Sequence, residues 1–374
     1  MNVYCDNAAM KPLLPQVKKV VQDFISCDYG NPSSIHSNGR KTLHEIENNA
    51  RPTVASFLNA NPNEIIFTSG STESINWVCQ NYDYIITTDI EHKAILNQPQ
   101  SHIIKIPILC TGIINIALLE AILDKYHDTY NKKCIAIFGY VNNEIGTIQP
   151  VKELVTLFHK YNIDVCCDAT QAIGNLPINV HELNVDYLCG SGQKIGALSG
   201  CGFLYVREGT VLNPMELGGQ QEHGMRAGTE NILGILALAK AFEVTNLNLK
   251  NNINKMYKNR DKIIFSLLKI SDSYLNGSLN KRVCNNINIS FKGIEAENLV
   301  LLLDTKGIKC STGSACNSTS FEPSHVLKAI GLSDDLARGA IRITINENIS
   351  DSETDYVIQT VTQCVKKLRG NNNA

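Results

Sequence analysis

A lysine in the middle of the chain stands where its amine could act as a nucleophile. Lys194 lies in the stretch YLCGSGQKIGALSGCGFLYV (residues 187–206), between two apolar runs, with Gly190, Gly192 and Gly196 around it. Burial between two strands disfavours the ammonium form, and a neutral lysine amine can form a Schiff base with a carbonyl compound. From this stretch alone, a turn lysine that faces water is the commoner arrangement.

Polar residues also follow several of the predicted strands. Asp168 ends the apolar run VCCD, and Gln171 comes three residues later. His92 in EHKAI and Asn142 in VNNEIGTIQP hold similar places. Parallel sheets bind ligands at the carboxyl ends of their strands, so we expect these side chains to share a site. Each also has a structural alternative, such as a helix N-cap for Asp168.

The segment SGSTES (residues 69–74) joins a predicted strand to a predicted helix. The free N–H groups and the dipole of a helix N-terminus bind anions, typically phosphate, and Ser71 and Thr72 would stand there. The alternative is a plain capping box with one of these two residues as the N-cap. No GxxxxGK[ST] sequence occurs. GSGQKIG (residues 190–196) is not a dinucleotide fingerprint, because its third glycine is displaced and no helix-forming run follows.

One cysteine differs from the others in its surroundings. Cys316 lies in a run of Ser, Thr, Gly and Asn residues before a predicted helix at 324–330, which favours an exposed, mobile loop. An exposed thiol there is a candidate nucleophile. The other twelve cysteines are scattered, apart from Cys166 and Cys167, and most have apolar neighbours. An odd total of thirteen without a CxxC pair predicts reduced thiols, and neither disulfides nor a metal site.

The composition is that of an ordinary globular protein, with 43% hydrophobic and 19% charged residues. A length of 374 residues predicts two domains. A formal net charge of −2 argues against nucleic acid or an anionic membrane as a partner. No apolar run has the length of a membrane span, and the N-terminal sequence lacks the features of a signal peptide, so we expect a cytoplasmic protein.

Strand-like and helix-like segments alternate along the first two thirds of the chain. We expect strands at residues 64–67, 84–87, 103–106, 135–139, 165–167, 187–189 and 203–206, and helices at 17–25, 36–58 (interrupted at Pro52), 71–80, 118–126 and 151–161. The alternation predicts an α/β fold with a mostly parallel sheet flanked by helices.

The chain changes character at the Asn/Lys-rich passage 246–252. Helices expected at 253–270, 296–306 and 351–368, with strands at 287–290 and 340–344, predict a smaller α+β domain. We therefore predict a large domain at residues 12–248 and a small domain at 249–374, on which residues 1–11 also pack.

Taken together and in order, the motifs resemble those of the cysteine desulfurases. These are pyridoxal-phosphate (PLP) enzymes of fold type I, in the class V aminotransferase group, that serve iron–sulfur cluster assembly and tRNA thiolation. The similarity spans nearly the whole chain and includes CDNAA, GNPSSIHSNGR, FTSGSTES, EHKAI, VNNEIGTIQP, DATQAIG, SGQK, GGQQEHGMRAGTEN and GSACNSTSFEPSHVL. Each motif is weak alone, but their order and spacing are specific.

The resemblance implies a cofactor role for several of these residues. Lys194 would bind PLP covalently, Asp168 would pair with the pyridinium nitrogen, His92 would stack on the ring and shuttle protons, and Gln171 would hydrogen-bond the ring hydroxyl. The phosphate would be held by Ser71, Thr72, Ser191, Gln193 and, across the interface of a homodimer, Thr229.

The resemblance also implies the reaction. Asn142 and Arg342 would position the carboxylate of L-cysteine, and Cys316 would take the sulfur as a persulfide while L-alanine leaves. A sulfur-acceptor protein, either a scaffold or a sulfur carrier, would then receive it. The chain departs from the family pattern at Gln193, where the family usually has histidine, at GST (residues 70–72), at Pro52, and in the segment ITINENIS after Arg342.

Other functions remain compatible with the sequence. A selenocysteine lyase or another class V PLP enzyme would share the cofactor site but would not need a cysteine at position 316. A non-catalytic, desulfurase-like binding protein could keep the fold. A nucleotide-binding α/β protein is supported only by the degenerate glycine pattern.

Overall fold

The computed structural model describes residues 1–126, 133–313 and 322–371. Its largest sheet has seven strands, whose burial follows from their continuous Val, Ile, Phe and Cys content. These strands are β2 (Ile65–Thr68), β3 (Tyr84–Thr87), β4 (Ile103–Lys105), β5 (Cys134–Gly139), β6 (Asp164–Asp168), β7 (Tyr187–Ser191) and β8 (Gly202–Val206). The mostly parallel α/β sheet predicted from the sequence is confirmed.

The strand order across this sheet is β2-β8-β7-β6-β5-β3-β4. Strands β3 to β7 run parallel to one another, while β8 lies between β2 and β7 and is antiparallel to both. Successive side chains of a strand point to opposite faces. In β5, Ile135 and Ile137 accordingly pack in one hydrophobic core and Ala136 and Phe138 in the other. Both faces of the sheet are therefore covered, as parallel sheets require.

Nine helices accompany this part of the described chain. They are α1 (Pro15–Ile25), α2 (Ser37–His44), α3 (Arg51–Leu58), α4 (Ser71–Cys79), α5 (Lys93–Leu96), α6 (Ile116–Tyr126), α7 (Val151–Lys160), α8 (Val180–Leu183) and α9 (Ile232–Leu247). The interruption expected near Pro52 is present: a π-helical stretch, Glu45–Ala50, separates α2 from α3. Proline has no N–H to donate, and its ring clashes with the i−4 carbonyl of a regular α-helix. In the wider π-helical turn before Pro52, the Arg51 N–H donates to the Ile46 carbonyl instead.

The polar residues that follow the parallel strands lie at one edge of the large sheet. His92 follows β3, Asn142 follows β5, and Asp168 is the last residue of β6. After β7 the chain makes a short 3₁₀ turn, Gly192–Lys194, which ends at the lysine. Because the carboxyl ends of parallel strands meet at the same edge, these side chains are brought together.

A second set of elements follows α9. It contains α10 (Leu249–Leu267), β9 (Ser273–Leu275), β10 (Asn286–Phe291), α11 (Ala296–Thr305), β11 (Ile308–Lys309), α12 (His325–Ala329), α13 (Asp334–Arg338), β12 (Ala340–Thr344) and α14 (Asp351–Asn371). Strands β12, β10 and β9 form an antiparallel sheet.

The N-terminus adds one further strand to this second set. Strand β1 (Val3–Tyr4) pairs in parallel with β11, and Asp6 bridges to Thr344. The first residues thus pack on the second set of elements, and the domain boundary at 248/249 remains a prediction.

Within the described ranges, no single helix has the length and hydropathy of a membrane span; α9 and α10, bent by 73° at their junction, meet these criteria only as a pair.

Candidate active site

An anion-binding arrangement is formed where β2 leads into α4. Gly70 is the N-cap of α4, so the alternative in which Ser71 or Thr72 caps the helix is wrong. The Ser71 N–H donates to Ser191 Oγ over 2.8 Å, and Ser71 Oγ lies 2.9 Å from the same hydroxyl and also contacts Thr170 Oγ1. Three hydroxyls at the positive end of a helix dipole provide hydrogen bonds for a phosphate or a similar anion.

Lys194 extends from the turn after β7 toward the N-terminal segment. Its Nζ donates to the carbonyl oxygens of Ala8 and Ala9, over 2.8 and 2.6 Å. The side chain is half-buried and lines a cavity, so the lysine does not project from a surface turn into water. Sequence reasoning missed these two alanines, since a backbone carbonyl leaves no signal in the residue type.

Asp168, Gln171 and His92 surround the same cavity. Asp168 Oδ1 accepts from the Thr170 N–H over 2.9 Å, and Gln171 Nε2 donates to the Ala8 carbonyl over 3.0 Å. His92 is exposed and is the N-cap of α5, where its Nδ1 accepts from the Ala94 N–H over 3.1 Å. That hydrogen bond leaves Nε2 as the protonated nitrogen of a neutral His92 ring.

A buried arginine on β12 lines the same cavity. Arg342 is 1% exposed; its Nη2 is 2.8 Å from Asp6 Oδ1 and its Nη1 donates to the Asn143 carbonyl over 3.0 Å. Its Nε is buried and has no hydrogen-bond partner among the described residues. A buried donor normally has a partner, so this Nε is available to a ligand in the cavity that Arg342 lines.

Asn142 is partly committed to the local backbone. Its Oδ1 accepts from the N–H groups of Glu144 and Ile145, and its Nδ2 donates to the Ile90 carbonyl over 2.8 Å. The amide is therefore held rigidly at the cavity wall, with one Nδ2 hydrogen left to donate.

Glu91 is a buried acid beside His92 that sequence reasoning did not consider, although it stands in the motif EHKAI. Its carboxyl oxygens accept from Thr88 Oγ1 over 2.6 Å and from the Gly139 N–H over 2.8 Å. Burial raises the pKa of Glu91 to about 7, and the negative charge of Asp168 contributes in the same direction.

The structure brings nearly all of the predicted site residues into one cavity of about 380 Å³. Its lining includes Ser71, Thr72, His92, Asn142, Asp168, Gln171, Ser191, Gln193, Lys194 and Arg342. The Gln193 Oε1 is buried without a hydrogen-bond partner in the described part of the chain. Thr229 is exposed and does not line this cavity, and its role across a dimer interface remains a prediction.

The predicted nucleophile Cys316 lies outside the described residues. The twelve cysteines that the structure does describe are all free, and most of them are buried. No disulfide joins any of these twelve, and their reduced state remains a prediction. Buried thiols such as Cys5 and Cys201 are poor nucleophiles, because burial raises the pKa of each to about 12.

Comparison with known proteins agrees with this geometry. Residues 3–357 match the aminotransferase class-V family. A cysteine desulfurase IscS of Methanosarcina thermophila is 41% identical, over 98% of this chain and 93% of that protein. A NifS-like protein structure superposes with a TM-score of 0.89 at 32% identity, covering 98% of this chain and all of that one. SspA in complex with cysteine superposes with a TM-score of 0.77 at 29% identity, over 92% and 99% of the two chains.

Proposed function

The chain belongs to the aminotransferase class-V family, and from that premise we propose that it is a PLP-dependent cysteine desulfurase that converts L-cysteine to L-alanine and a persulfide on Cys316. The single observation that carries the proposal is the cavity at the carboxyl edge of the sheet. It combines an anion site, a lysine amine, an acid and a buried arginine. The full-length similarity to proteins named cysteine desulfurase IscS supports the choice of substrate.

The residues present fit PLP. The N-terminus of α4 with Ser71, Thr72 and Ser191 would hold the phosphate, and Gln193, which lines the same cavity, would donate to it from its side-chain amide nitrogen. Lys194 would bind the aldehyde carbon, and Asp168 would accept a hydrogen bond from the ring nitrogen. When bound there, PLP supplies an electron sink for negative charge that develops on the substrate.

The substrate would be oriented by its carboxylate. Arg342 offers a guanidinium whose Nε has no partner among the described residues, and Asn142 adds an amide donor at the same wall. Charge-assisted hydrogen bonds of this kind fix both position and direction. The Nδ1 of His92 accepts from the Ala94 N–H, so its Nε2 is the ring nitrogen that would carry protons to and from the substrate carbons.

The sulfur step balances without a further reagent. The Cys316 thiolate attacks the substrate sulfur, an S–S bond forms, and the C–S bond breaks with its electron pair left on carbon. That carbon takes a proton, so alanine leaves and Cys316 carries the persulfide. The proposal includes transfer of this sulfur to an acceptor protein for iron–sulfur cluster assembly or tRNA thiolation, and a cytoplasmic homodimer in which Thr229 of each chain reaches the phosphate of the other.

The test follows both products in the purified, PLP-loaded protein given L-cysteine. We expect alanine and a persulfide on Cys316, identified by mass spectrometry, to form together. In Cys316→Ser, cysteine should still change the cofactor absorbance while alanine falls to background, since a serine hydroxyl is a weak nucleophile toward sulfur. Wild-type alanine release by this variant would contradict the proposal, and a clear preference for selenocysteine would favour a selenocysteine lyase.

A further inference from the structure

A tight turn after β5 connects the cavity wall to a buried carboxyl group. The Asn142 N–H donates to the Thr147 carbonyl over 3.0 Å, and the Gly146 N–H donates to the Asn142 carbonyl over 3.0 Å. Asn142 Oδ1 accepts from the N–H groups of Glu144 and Ile145 within the same turn. A residue that lines the cavity therefore fixes the conformation of the turn that carries Glu144.

Strand β10 holds this turn from its other side. The Glu144 carbonyl accepts from Asn286 Nδ2 over 3.0 Å and from Asn288 Nδ2 over 3.1 Å. Asn286 Oδ1 in turn accepts from Arg282 Nη1 over 3.0 Å. The backbone of Glu144 is therefore hydrogen-bonded both within the turn that follows β5 and to β10 of the antiparallel sheet.

The carboxyl group of Glu144 meets both chain ends that flank residues 314–321. Its Oε2 accepts a hydrogen bond from Ser324 Oγ. On the other side, a Cβ added to Gly313 would lie 3.2 Å from the same Oε2 and 3.9 Å from Ser324 Cβ. Gly313 has φ of +148°, a conformation that favours glycine. The two ends of this segment thus converge on one side chain.

The carboxyl group of Glu144 is buried with few hydrogen-bond partners among the described residues. Glu144 is 1% exposed, and its Oε1 is buried without a hydrogen-bond partner among the described residues. Burying a carboxyl group that makes so few hydrogen bonds is unfavourable. Among the described residues, the side chain of Glu144 is hydrogen-bonded to Ser324.

The same two ends are also tied to residues that line the cavity. The Ser311 N–H donates to the Arg342 carbonyl over 3.1 Å, and the Arg342 N–H donates back to the Ser311 carbonyl over 2.6 Å. His325 Nε2 donates to the Glu91 carbonyl over 3.1 Å. A shift of either end would therefore displace residues that line the cavity.

We propose that Glu144 is a positioning residue for the sulfur-transfer step, and that it acts by holding Gly313 and Ser324 together beside the cavity. This inference rests on the proposed function, because chain connectivity makes these two residues the points from which Cys316 is placed. Glu144 touches neither substrate nor cofactor in this role. Its contact with Ser324 sets the rate at which the Cys316 thiol meets the substrate sulfur.

The test alters the partner rather than Glu144 itself. Ser324 is also the N-cap of α12 and accepts from the N–H groups of Val326 and Leu327. Ser324→Thr keeps both the cap and the hydroxyl donor. Ser324→Asp keeps the cap but replaces the donor with an acid beside Glu144, and Ser324→Gly removes the donor at a small capping cost. Ser333→Asp, at the N-cap of α13, is the matched control.

Three measurements separate positioning from a structural defect. They are PLP absorbance with its response to cysteine, the single-turnover rate of alanine formation, and the rate of iodoacetamide alkylation at Cys316 in the absence of cysteine. Loss of a hydrogen bond to an acidic group predicts an alanine rate about tenfold lower in Ser324→Asp and Ser324→Gly. We expect a changed alkylation rate at Cys316 in both variants, with the cofactor absorbance and the KM for cysteine retained.

The possible results separate a failure of the role of Glu144 from a failure of the proposed function on which it rests. Ser324→Thr and Ser333→Asp should stay within about twofold of wild type in alanine rate. If the wild-type protein forms no persulfide on Cys316, the proposed function fails and this inference fails with it. If the wild-type protein forms it and both donor-deleting variants match its rate, the proposed function stands and the role of Glu144 is refuted. Ser324→Gly decides the question if Ser324→Asp does not fold.

Discussion

Lys194 and Gln171 both donate a hydrogen bond to the backbone carbonyl of Ala8. This shared acceptor holds the two side chains next to each other in the cavity. The carbonyl comes from a segment far from both in sequence, yet it sets the direction of the amine and of the amide. Asp168, by contrast, is oriented from within its own segment by the Thr170 N–H. The site therefore combines local geometry with one distant backbone contribution.

Glu91 gives the protein a pH-dependent stability. Its pKa of about 7 in the folded protein exceeds the ordinary value of 4.5, so the folded state binds the extra proton between these values. Stability from this group is present below pH 4.5 and is lost as pH rises through 7, by at most about 3 kcal/mol. Glu91→Gln mimics the protonated acid and should flatten this dependence, seen as urea midpoints measured from pH 5 to 8. A wild-type slope that persists in the variant would assign the effect to other groups.

We expect Gln193 to bind the PLP phosphate more weakly than a histidine at this position would. The family that this chain resembles usually has histidine here, and the Gln193 Oε1 is buried without a partner among the described residues. Gln193→His adds a donor that can carry charge beside the phosphate site, so PLP should dissociate more slowly during dialysis. Gln193→Asn, which keeps an uncharged amide, is the matched control. Equal or faster PLP loss from the histidine variant would contradict this expectation.

Most side chains of the cavity could be identified from the sequence because their chemistry coincides with the ends of strands. Lys194, Asp168 and Asn142 each follow an apolar run, and the resemblance to a family assigned their roles. The carbonyls of Ala8 and Ala9 could not be identified, because any residue type supplies a carbonyl. The hydrogen bonds that Asn142 Oδ1 accepts within its own turn could not be predicted either, because they depend on backbone dihedral angles.

At the scale of elements, the junction between β2 and α4 depends on one glycine. Gly70 has φ of +151°, and a Cβ there would lie 3.1 Å from Ser191 Oγ. Gly70→Ala should therefore strain the backbone and displace the Ser191 hydroxyl, which lines the proposed phosphate site. We expect an increase in the Kd for PLP of about tenfold, from the loss of one charge-assisted hydrogen bond.

A second glycine provides the control for backbone strain. Gly209 has φ of +86° but no atom within 4 Å of an added Cβ among those the structure describes. Gly209→Ala should lower the melting temperature, as Gly70→Ala does, while leaving PLP affinity unchanged. A similar loss of PLP affinity in both variants would show that general destabilisation, rather than the contact with Ser191, is responsible.

Elements that are apolar runs with clear polar limits could be located from the sequence better than those that lack such limits. Strands β3 and β12 have the predicted bounds, because each is an apolar run between clear polar limits. Helix α10 begins at Leu249 rather than 253, since the Asn/Lys-rich start faces solvent and lacks an apolar period. Strands β1, β9 and β11 have two or three residues and form only through pairing with distant partners, which a local pattern does not encode.

At the scale of the whole molecule, the N-terminal segment connects the two sheets. Its β1 pairs with β11, and Ala8 N–H donates to Thr344 Oγ1 over 3.0 Å. The Lys11 N–H donates to the Gln193 carbonyl over 2.9 Å. The same short segment thus contacts the turn that carries the lysine and the strand that carries the arginine. A shift of one sheet relative to the other would therefore displace both Lys194 and Arg342.

Asp6 is the residue of this segment that contacts the Arg342 guanidinium. Its carboxylate is 2.8 Å from Arg342 Nη2, and the arginine is buried. Asp6→Ala should leave the segment in place, because Asn7 Nδ2 and the Ala8 N–H are held by Thr344. The guanidinium loses one charge-assisted contact, so the KM for cysteine should rise about tenfold while PLP uptake is unchanged.

Lys11→Met separates the two effects that Asp6→Ala could have. Lys11 Nζ forms a 2.8 Å salt bridge with Glu347, which ties the same segment to the chain after β12 without touching Arg342. If Asp6 acts on the substrate through the guanidinium, Lys11→Met should leave the KM close to that of wild type, although it lowers stability. An equal rise of KM in both variants would mean that the anchoring of the whole segment, and not the Asp6–Arg342 pair, controls how the carboxylate binds.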